Sequence, residues 1–589
     1  MTSPSPAPIR QPPTVPAAAD NLDLILHHLL PTLLVAALSV KSLVGRWRFI
    51  HSKLSLLVTS LSAAAAAAAE SSTSAANPLF ADLLQKLLIT LRSLESLCSR
   101  CLDPSLPTGK LHLQSDIDIA GASLSLHLHD LDVLLRSGIL HQSNPHSSAI
   151  ILPVPSSSAS RADLALFIRD VFARLQIGDI DLKIKALDSL LEILASDPHK
   201  LGPIVAQEGD LSCLVRLLDP SSHSLARDSA AAAVSILVTA GESSRHALFD
   251  EGALGPLLRL LDSGSAVVKE KAAAAIEAIA ADTINAWAVA AYGGISIIVN
   301  ACRPGAGSAA VQSFAAASLN HISAIDELRA AIVEEGAIPV LVGLVASGAP
   351  SARRNASLCL WCLASFGGEE TREFIVEEGG VHRLLQLFYD SLSLSDPEIS
   401  EVALRAIHAL SFSPVAARSL SVSRGFFLHL ADLICRGSAA IQLTAAALFC
   451  NLSPSNELKR SMALCMAALV KILEWPKPAS AQETAARALV SLLAVKSNRK
   501  ELARDEKSLT RLVQMLDLRR EEICQKFPVS VALALSAGGG GGCRRRLADS
   551  GAVAALQKLV DAEVPGARKA LQRISGSRLK NLFSIGRRE

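Results

Sequence analysis

The sequence predicts an all-α protein in which an N-terminal helical bundle precedes a long α-α superhelix of repeated helices. Three observations predict this architecture. A glycine-centred segment recurs about every 42 residues, a period that belongs to helical solenoids. Half of the 589 residues are apolar but only 4% are aromatic, which favours Ala- and Leu-rich helices over aromatic-centred sheets. The chain is also too long for one compact core.

The first 160 residues divide into three predicted segments. Residues 1–20 contain six prolines, so we expect a disordered leader. Residues 21–140 show leucines at helical spacing and a helix-start signal at Asn77-Pro78, which predicts a helical bundle. Residues 141–160 are rich in Ser and Pro and are predicted to form a linker.

One stretch of the bundle is apolar enough to raise the alternative of a membrane span. It runs from Leu22 to Val44, but His27, His28, Pro31 and Lys41 interrupt it. Polar groups at those positions suit a buried bundle helix better than a bilayer core. We therefore interpret the stretch as part of the bundle.

Charge and cysteine usage limit the class of protein. The net charge of +2 argues against a nucleic-acid partner. The eleven cysteines are scattered, most of them in apolar helical runs, which indicates reduced and buried thiols. The expected location is therefore the cytoplasm, with the nucleus and the periphery of the plasma membrane as alternatives.

The repeat follows the linker and keeps one glycine register. EGALGPLLRLLDSG at 251–264 recurs as EEGAIPVLVGLVASG at 334–348 and as SGAVAALQKLV at 550–560. After each glycine come an apolar helix, a polar turn, an Ala-rich second helix and a shorter helix. One repeat cannot bury its apolar face alone, so the copies must stack, and we expect about nine of them over 161–575. The aligned positions are Gly209, Gly252, Gly294, Gly336, Gly379, Gly425, Leu464, Lys507 and Gly551.

This repeat resembles that of the armadillo family, which has a short helix, a turning glycine and two longer helices. IVEEGAIPVLVGLV at 332–345 matches that pattern. RRNASLCLWCLASF at 353–366 and AAALFCNLSPSNELK at 445–459 are similar to repeats of plant armadillo-repeat-only proteins and of relatives of plant U-box ubiquitin ligases. The resemblance implies a right-handed α-α superhelix, an armadillo solenoid, whose concave groove binds partner proteins. It implies a non-enzymatic scaffold or adaptor without cofactor or small-molecule substrate.

Two departures from related proteins narrow the expectation. Only the short linker separates bundle and repeats, which leaves no room for a U-box, so ligase activity is not predicted. The Trp and Asn ladder with which importin-α holds basic peptides is represented by Trp361 and Asn451 alone, so an import receptor is not predicted either. Two alternatives remain: an adaptor or regulator of the ubiquitin-ligase pathway, and a peripheral membrane organiser that uses the basic tail 576–589.

The predicted partner-binding residues are polar or aromatic side chains on the Ala-rich second helices. Such groups are hard to explain among so many alanines unless they contact a ligand, although each could simply face solvent. Cationic and amide groups there would engage carboxylates or backbone carbonyls of an extended segment. The candidates are His321, Arg354, Asn355, Trp361, Arg405, His408 and Asn451.

Other motifs were weighed against metal and phosphate chemistry. Cys98/Cys101 and Cys359/Cys362 are too far apart in sequence for one four-ligand zinc site and are interpreted as buried thiols, so neither a metal nor a catalytic residue is predicted. Five glycines at 538–542 precede Cys543-Arg544-Arg545-Arg546. Those arginines could hold a phosphate or an acidic peptide, but a flexible connection between helices is the favoured interpretation.

Overall fold

The computed structural model describes residues 16–70, 77–102, 110–137, 140, 155, 159–394, 396–476, 478–537 and 541–575. Within these ranges the chain forms helices and no strand, so the all-α prediction is confirmed. The chain divides into two compact units, Met1–Ile279 and Ala280–Glu589, which are described separately. Most of the predicted leader and linker and all of the predicted basic tail lie outside the described residues.

The first unit begins with a bundle of long helices. The helix predicted at Asn77-Pro78 begins there: Asn77 Oδ1 accepts the backbone N–H of Leu79 at 3.0 Å, and Pro78 occupies the first helical position. The alanine run at 63–69 is helical and belongs to the helix Val44–Glu70. The bundle comprises α1 (Pro16–Asp23), a π-helical turn (Leu24–Leu29), α2 (Leu30–Ser39), α3 (Val44–Glu70), α4 (Pro78–Leu102) and α5 (Lys110–Ser137).

Two bundle stretches are long and apolar enough to cross a membrane by length and composition alone, Ala19–Ser39 and Val44–Ala66. In the structure both contribute fully buried side chains to the leucine core of the bundle, Leu30 from the first and Trp47 from the second. In the repeats, two bent helix pairs pass the same test when each is taken as one span, Thr283–Ala291 with Gly294–Ala301 and Leu328–Glu334 with Ala337–Ser347.

The rest of the first unit is the start of the solenoid. A helix pair, α6 (Arg161–Ile177) and α7 (Ile180–Ser196), comes first, and the first complete triplet begins at Pro198. Ser160 caps α6 through a capping box with Asp163. Two triplets follow: α8 (Pro198–Glu208), α9 (Leu211–Leu217) and α10 (Ser224–Ala240), then α11 (Glu242–Asp250), α12 (Leu254–Ser263) and α13 (Ala266–Ala280).

The second unit contains seven further triplets in the part of the chain that is described. The first four are α14 (Thr283–Ala291), α15 (Gly294–Ala301) and α16 (Ala309–Ser323); α17 (Leu328–Glu334), α18 (Ala337–Ser347) and α19 (Pro350–Phe366); α20 (Gly368–Glu377), α21 (Gly380–Leu394) and α22 (Pro397–Leu410); α23 (Pro414–Ser421), α24 (Arg424–Arg436) and α25 (Ala439–Asn451). The last three are α26 (Asn456–Ser461), α27 (Met466–Leu473) and α28 (Ala479–Leu493); α29 (Lys496–Arg504), α30 (Glu506–Gln514) and α31 (Lys526–Leu535); α32 (Gly541–Asp549), α33 (Ala552–Asp561) and α34 (Ala567–Ser575).

Within the second unit, the third helix of each triplet, which is the Ala-rich helix of the sequence repeat, packs against the third helix of the next. This contact runs from α16 through α19, α22, α25, α28 and α31 to α34. We call these seven helices the stacking row. Buried alanines such as Ala315, Ala356 and Ala403 line the contacts, and their small side chains let successive helices approach closely. The apolar core is therefore continuous from repeat to repeat.

Left-handed glycines make the turn between the first and second helices of several triplets. The φ angles are +79° at Gly252, +73° at Gly336, +81° at Gly379 and +91° at Gly551. An L-residue with a side chain rarely adopts such angles, which explains why glycine recurs there. The register prediction was therefore right at these positions.

At three aligned positions the glycine does something else. The left-handed residue of the third triplet is Gly293, one residue before the predicted Gly294. Gly209 has an ordinary φ of −97°, so its backbone does not require glycine. A side chain does not fit there, because a Cβ would lie 2.4 Å from Cε2 of Phe172. Gly425 lies within α24 and has open space around it.

The left-handed turn leads to a paired prediction on one helix. Gly336→Val is expected to lower the free energy of unfolding by about 1–2 kcal/mol or more, because a β-branched residue is strained at φ +73°. Gly343→Ala, in the exposed middle of α18 with no atom near the new Cβ, is expected to raise it by about 0.5–1 kcal/mol. Urea unfolding followed by circular dichroism measures both. Equal midpoints for the two variants would contradict the repeat register.

Candidate partner-binding surface

The seven candidate residues lie on four successive helices of the stacking row. His321 lies on α16. Three candidates lie on α19: Arg354, Asn355 and Trp361. Arg405 and His408 lie on α22, and Asn451 lies on α25. All seven side chains are half-buried. The fold therefore brings the candidates into one row, because α16, α19, α22 and α25 pack in that order.

A chain of aromatic and cationic side chains occupies the centre of this row. The guanidinium carbon of Arg405 lies 3.9 Å from the ring centroid of Trp361, on the neighbouring helix. Phe366 meets Trp361 edge to face at 6.2 Å between centroids, and the guanidinium of Arg329 lies 4.9 Å from the Phe366 centroid. Both kinds of contact are favourable, so each ring is held between neighbours on both sides.

Backbone contacts fix one end of this chain. Arg329 Nε donates to the carbonyl oxygen of Ser323 at 2.7 Å, and a second nitrogen of the guanidinium donates to Ala324 O at 3.2 Å and pairs with Asp326 at 2.6 Å. Those carbonyls belong to the C-terminal end of α16, where a cation also complements the helix dipole. The fixed guanidinium of Arg329 thus contacts the ring of Phe366, while 59% of Phe366 stays exposed.

A second aromatic site lies one repeat further along. His408 meets Phe412 edge to face at 5.4 Å, and Phe412 is 60% exposed. Burial lowers the pKa of His408 below its usual value, so the imidazole is neutral at pH 7. Phe366 is the last residue of α19, and Phe412 lies two residues after the end of α22, so both rings lie at the C-terminal ends of stacking-row helices.

Three candidates are engaged within the protein instead of being fully available to a partner. Asn355 Nδ2 donates to the backbone oxygen of Ser313 at 3.0 Å, and Asn451 Nδ2 donates to Ser411 Oγ at 2.9 Å. Each of these bonds joins successive elements of the row. Arg354 pairs with Glu398 at 3.5 Å across α19 and α22. The two asparagines therefore support the surface more than they form it.

Phe366, Phe412 and a series of capping arginines were not among the residues predicted from the sequence. Besides Arg329, the series includes Arg245 (Nε to Val238 O, 3.2 Å), Arg372 (Nη1 to Ala364 O, 3.2 Å) and Arg544 (Nε to Ser536 O, 3.1 Å). Each lies seven residues before its turning glycine and donates to a carbonyl at the C-terminal end of the third helix of the preceding triplet. That spacing was visible in the sequence and would have identified them.

The cysteine pairs behave as buried thiols. Burial, with a smaller effect of Cys101, raises the pKa of Cys98 to about 11, and burial raises the pKa of Cys359 further still. A thiol with so high a pKa is protonated at pH 7 and is a poor nucleophile or ligand. Among the described residues, no group of three His, Cys, Asp or Glu side chains could hold a metal ion.

Comparisons with known proteins address the bundle and the repeats separately. Residues 24–139 match a domain family of unknown function, DUF7032. A solved structure of an engineered protein is 27% identical, covers 70% of this chain and 99% of its own, and superposes with a TM-score of 0.57. With the helix triplets and left-handed turns described above, that match decides the fold class. The repeat region is an α-solenoid like that engineered protein.

Designed armadillo repeat proteins also match this solenoid, over a smaller part. One, designed for modular peptide recognition, is 27% identical and covers 42% of this chain and 99% of its own, with a TM-score of 0.38. Another, solved in complex with the peptide (KR)4, is 25% identical and covers 42% and 99%, with a TM-score of 0.37. No curated protein sequence matches the chain.

Proposed function

We propose that this protein is a non-enzymatic scaffold that binds an extended segment of a partner protein along α16, α19, α22 and α25. The observation that carries the proposal is the aromatic and cationic chain Arg329–Phe366–Trp361–Arg405, open to solvent at Phe366. Arg329 and Trp361 hold the exposed ring of Phe366 between them, so its apolar area is presented in a fixed position.

The chemistry of this surface indicates what it would bind. Stacking over Trp361 leaves the N–H edge of the Arg405 guanidinium as a set of donors for carboxylate or backbone carbonyl oxygens. Phe366 and Phe412 offer ring faces to apolar side chains one repeat apart. An extended segment with acidic and apolar residues at a matching spacing would satisfy both kinds of group.

Two properties of this surface favour high-affinity binding of a partner segment. Trp and Arg are the residue types that most often dominate binding energy at protein interfaces. The rings and guanidinium groups here are already held by one another and by the α16 carbonyls, so little side-chain freedom is lost on binding. The neighbouring helices of the stacking row then add further, weaker contacts with the partner segment on either side of these rings and guanidinium groups.

A peptide-display experiment tests the proposal. A random peptide library is selected against the full chain, and the affinity of an enriched peptide is measured by fluorescence polarisation. The triple variant Phe366→Ser, Arg405→Gln, Phe412→Ser is expected to bind about ten-fold more weakly or worse, since two ring contacts and one charge-assisted contact are lost.

The matched control removes two apolar side chains and one arginine elsewhere in the same unit. Val422→Ser, Leu428→Ser, Arg436→Gln replaces two exposed apolar side chains and one exposed arginine on and beside α24. It is expected to bind the peptide like the parent. Equal affinity for the parent and the Phe366/Arg405/Phe412 variant, with circular dichroism showing both folded, would place recognition outside this surface.

The resemblance of the sequence to plant armadillo proteins suggests two more specific roles for the scaffold. An adaptor role in the ubiquitin-ligase pathway would show as altered ubiquitination in a reconstituted assay. A peripheral membrane organiser would sediment with lipid vesicles through the basic tail, which lies outside the described residues. Imaging of the tagged full chain tests the proposed cytoplasmic, nuclear or plasma-membrane location.

A further inference from the structure

A second feature lies away from the candidate surface, near the end of the solenoid. The first helices of the last two triplets, α29 and α32, pack against each other and enclose a cleft of about 240 Å³. A flexible connection between helices was predicted in this segment from the five glycines 538–542. Residues 538–540 lie outside the described residues, and Cys543–Arg546 are helical residues of α32.

The side chains that line the cleft are strongly and uniformly charged. Among the described residues that line it, every titratable one except Cys543 is cationic: Lys496, Arg499, Lys500, Arg504 and Arg546. The acidic residues on the same two helices, Glu501 and Asp549, do not line it.

Two of these cations have structural roles and three do not. Arg499 Nη1 donates to Leu493 O at 2.6 Å and Ala494 O at 2.9 Å, and Arg546 Nη1 donates to Ala503 O at 3.4 Å. These bonds hold α29 and α32 in place. Lys496, Lys500 and Arg504 form no ion pair within the described part of the chain, and all three are exposed.

Like charges gathered around a cleft repel one another, and a bound anion removes that repulsion. Phosphate suits this cleft better than a carboxylate for two reasons. It carries more charge per group, and its oxygens match the fork of a guanidinium, while lysines add compact point charges. The cleft is smaller than the roughly 300–1,000 Å³ of typical ligand pockets, which favours a compact, multiply charged group.

We propose that the cleft between α29 and α32 binds a compact ligand that carries several phosphate groups, of the inositol polyphosphate class. Lys496, Lys500 and Arg504 supply the binding charge, and Arg499 and Arg546 hold the two helices that shape the site. This site is separate from the proposed protein-binding surface, which is formed by the stacking row, so either could exist without the other.

Titration of the full chain with inositol trisphosphate, followed by calorimetry, tests the proposal. The parent is expected to bind with an affinity that falls steeply as salt is added, since exposed charges are screened. The triple variant Lys496→Ala, Lys500→Ala, Arg504→Ala is expected to bind about ten-fold more weakly or worse. Because these three side chains are exposed, unpaired and repelled by their neighbours, the melting temperature of the variant without ligand should be no lower than that of the parent.

A matched variant separates a built site from general charge. Lys558→Ala, Arg568→Ala, Lys569→Ala removes three exposed cations from α33 and α34 and changes the net charge equally. It is expected to bind like the parent. The proposal is overturned if both triple variants lose affinity alike, if the parent does not bind, or if an unphosphorylated poly-glutamate peptide binds as tightly as inositol trisphosphate.

The same phosphates can come from a soluble molecule or from a lipid headgroup, and vesicles distinguish the two. Sedimentation with phosphatidylcholine vesicles containing phosphatidylinositol bisphosphate, lost in the Lys496/Lys500/Arg504 variant and absent with pure phosphatidylcholine, supports the headgroup. Binding of soluble inositol trisphosphate with no vesicle recruitment supports the free metabolite. Recruitment that survives the variant would contradict use of this cleft at a membrane.

Discussion

Replacing Arg174 by Met is expected to lower the free energy of unfolding by about 3–5 kcal/mol, with the loss centred on the first unit. Arg174 and Asp170 lie one turn apart on α6, and both are buried. Nε of Arg174 donates to Asp170 Oδ1 at 3.1 Å, and a second nitrogen of the guanidinium donates to Oδ2 at 3.4 Å. Met fills part of the space but leaves the carboxylate buried without this charged partner.

The pH dependence of the Arg174→Met deficit follows from the same contacts. Burial raises the pKa of Asp170, and the charge and hydrogen bonds of Arg174 oppose that rise. Without Arg174 the pKa rises further, so the buried carboxyl takes up a proton more readily. A protonated carboxyl is neutral, so the deficit should shrink as the pH falls toward the ordinary carboxyl range.

Denaturant unfolding of the full chain, with hydrogen exchange of α6 peptides to locate the loss, measures this effect. The double variant Asp170→Leu, Arg174→Met is the informative control. Replacing a buried ion pair by apolar residues is often nearly neutral, so the double variant should recover most of the stability that the single variant loses. Additive losses, or a single-variant loss below about 1 kcal/mol, would show that the pair is not coupled as described.

The repeat architecture could be predicted from sequence because its signal is local. A left-handed turn restricts Gly336 and Gly379 to one residue type, so the period is visible directly in the sequence. Gly209 belongs to the same series in sequence but is explained by the ring of Phe172, on a helix outside its own triplet. Sequence period alone could not separate a conformational requirement from a packing one.

The candidate surface was only partly predictable for a related reason. Periodicity placed Asn355 and Asn451 on the stacking row, but their hydrogen-bond acceptors, Ser313 and Ser411, lie about one repeat earlier in the chain. Side-chain pairs at that distance leave no local pattern. Phe366, at the end of an apolar helix, reads from sequence as a core residue, and only the fold shows that it is exposed.

The aromatic core of the second unit gives the other large expected effect. Phe427→Ala is expected to lower the free energy of unfolding by about 3–5 kcal/mol, because it opens a cavity that packed repeats can only partly refill. Phe427 is fully buried on α24 and meets Phe426 and Phe449 edge to face, each at 6.4 Å between centroids. Phe426 in turn contacts Phe388 of α21 at 6.0 Å, so the cluster joins neighbouring repeats.

Phe412→Ala is the matched control, since it makes the same chemical change at a ring that is 60% exposed and close in sequence. It should leave the unfolding midpoint nearly unchanged while weakening binding of the selected peptide, and Phe427→Ala should do the reverse at temperatures where it stays folded. Because each repeat is stabilised mainly by its neighbours, hydrogen exchange in Phe427→Ala should accelerate in α21 and α25 as well as in α24. Faster exchange confined to α24 would mean that the phenylalanine cluster does not couple the repeats.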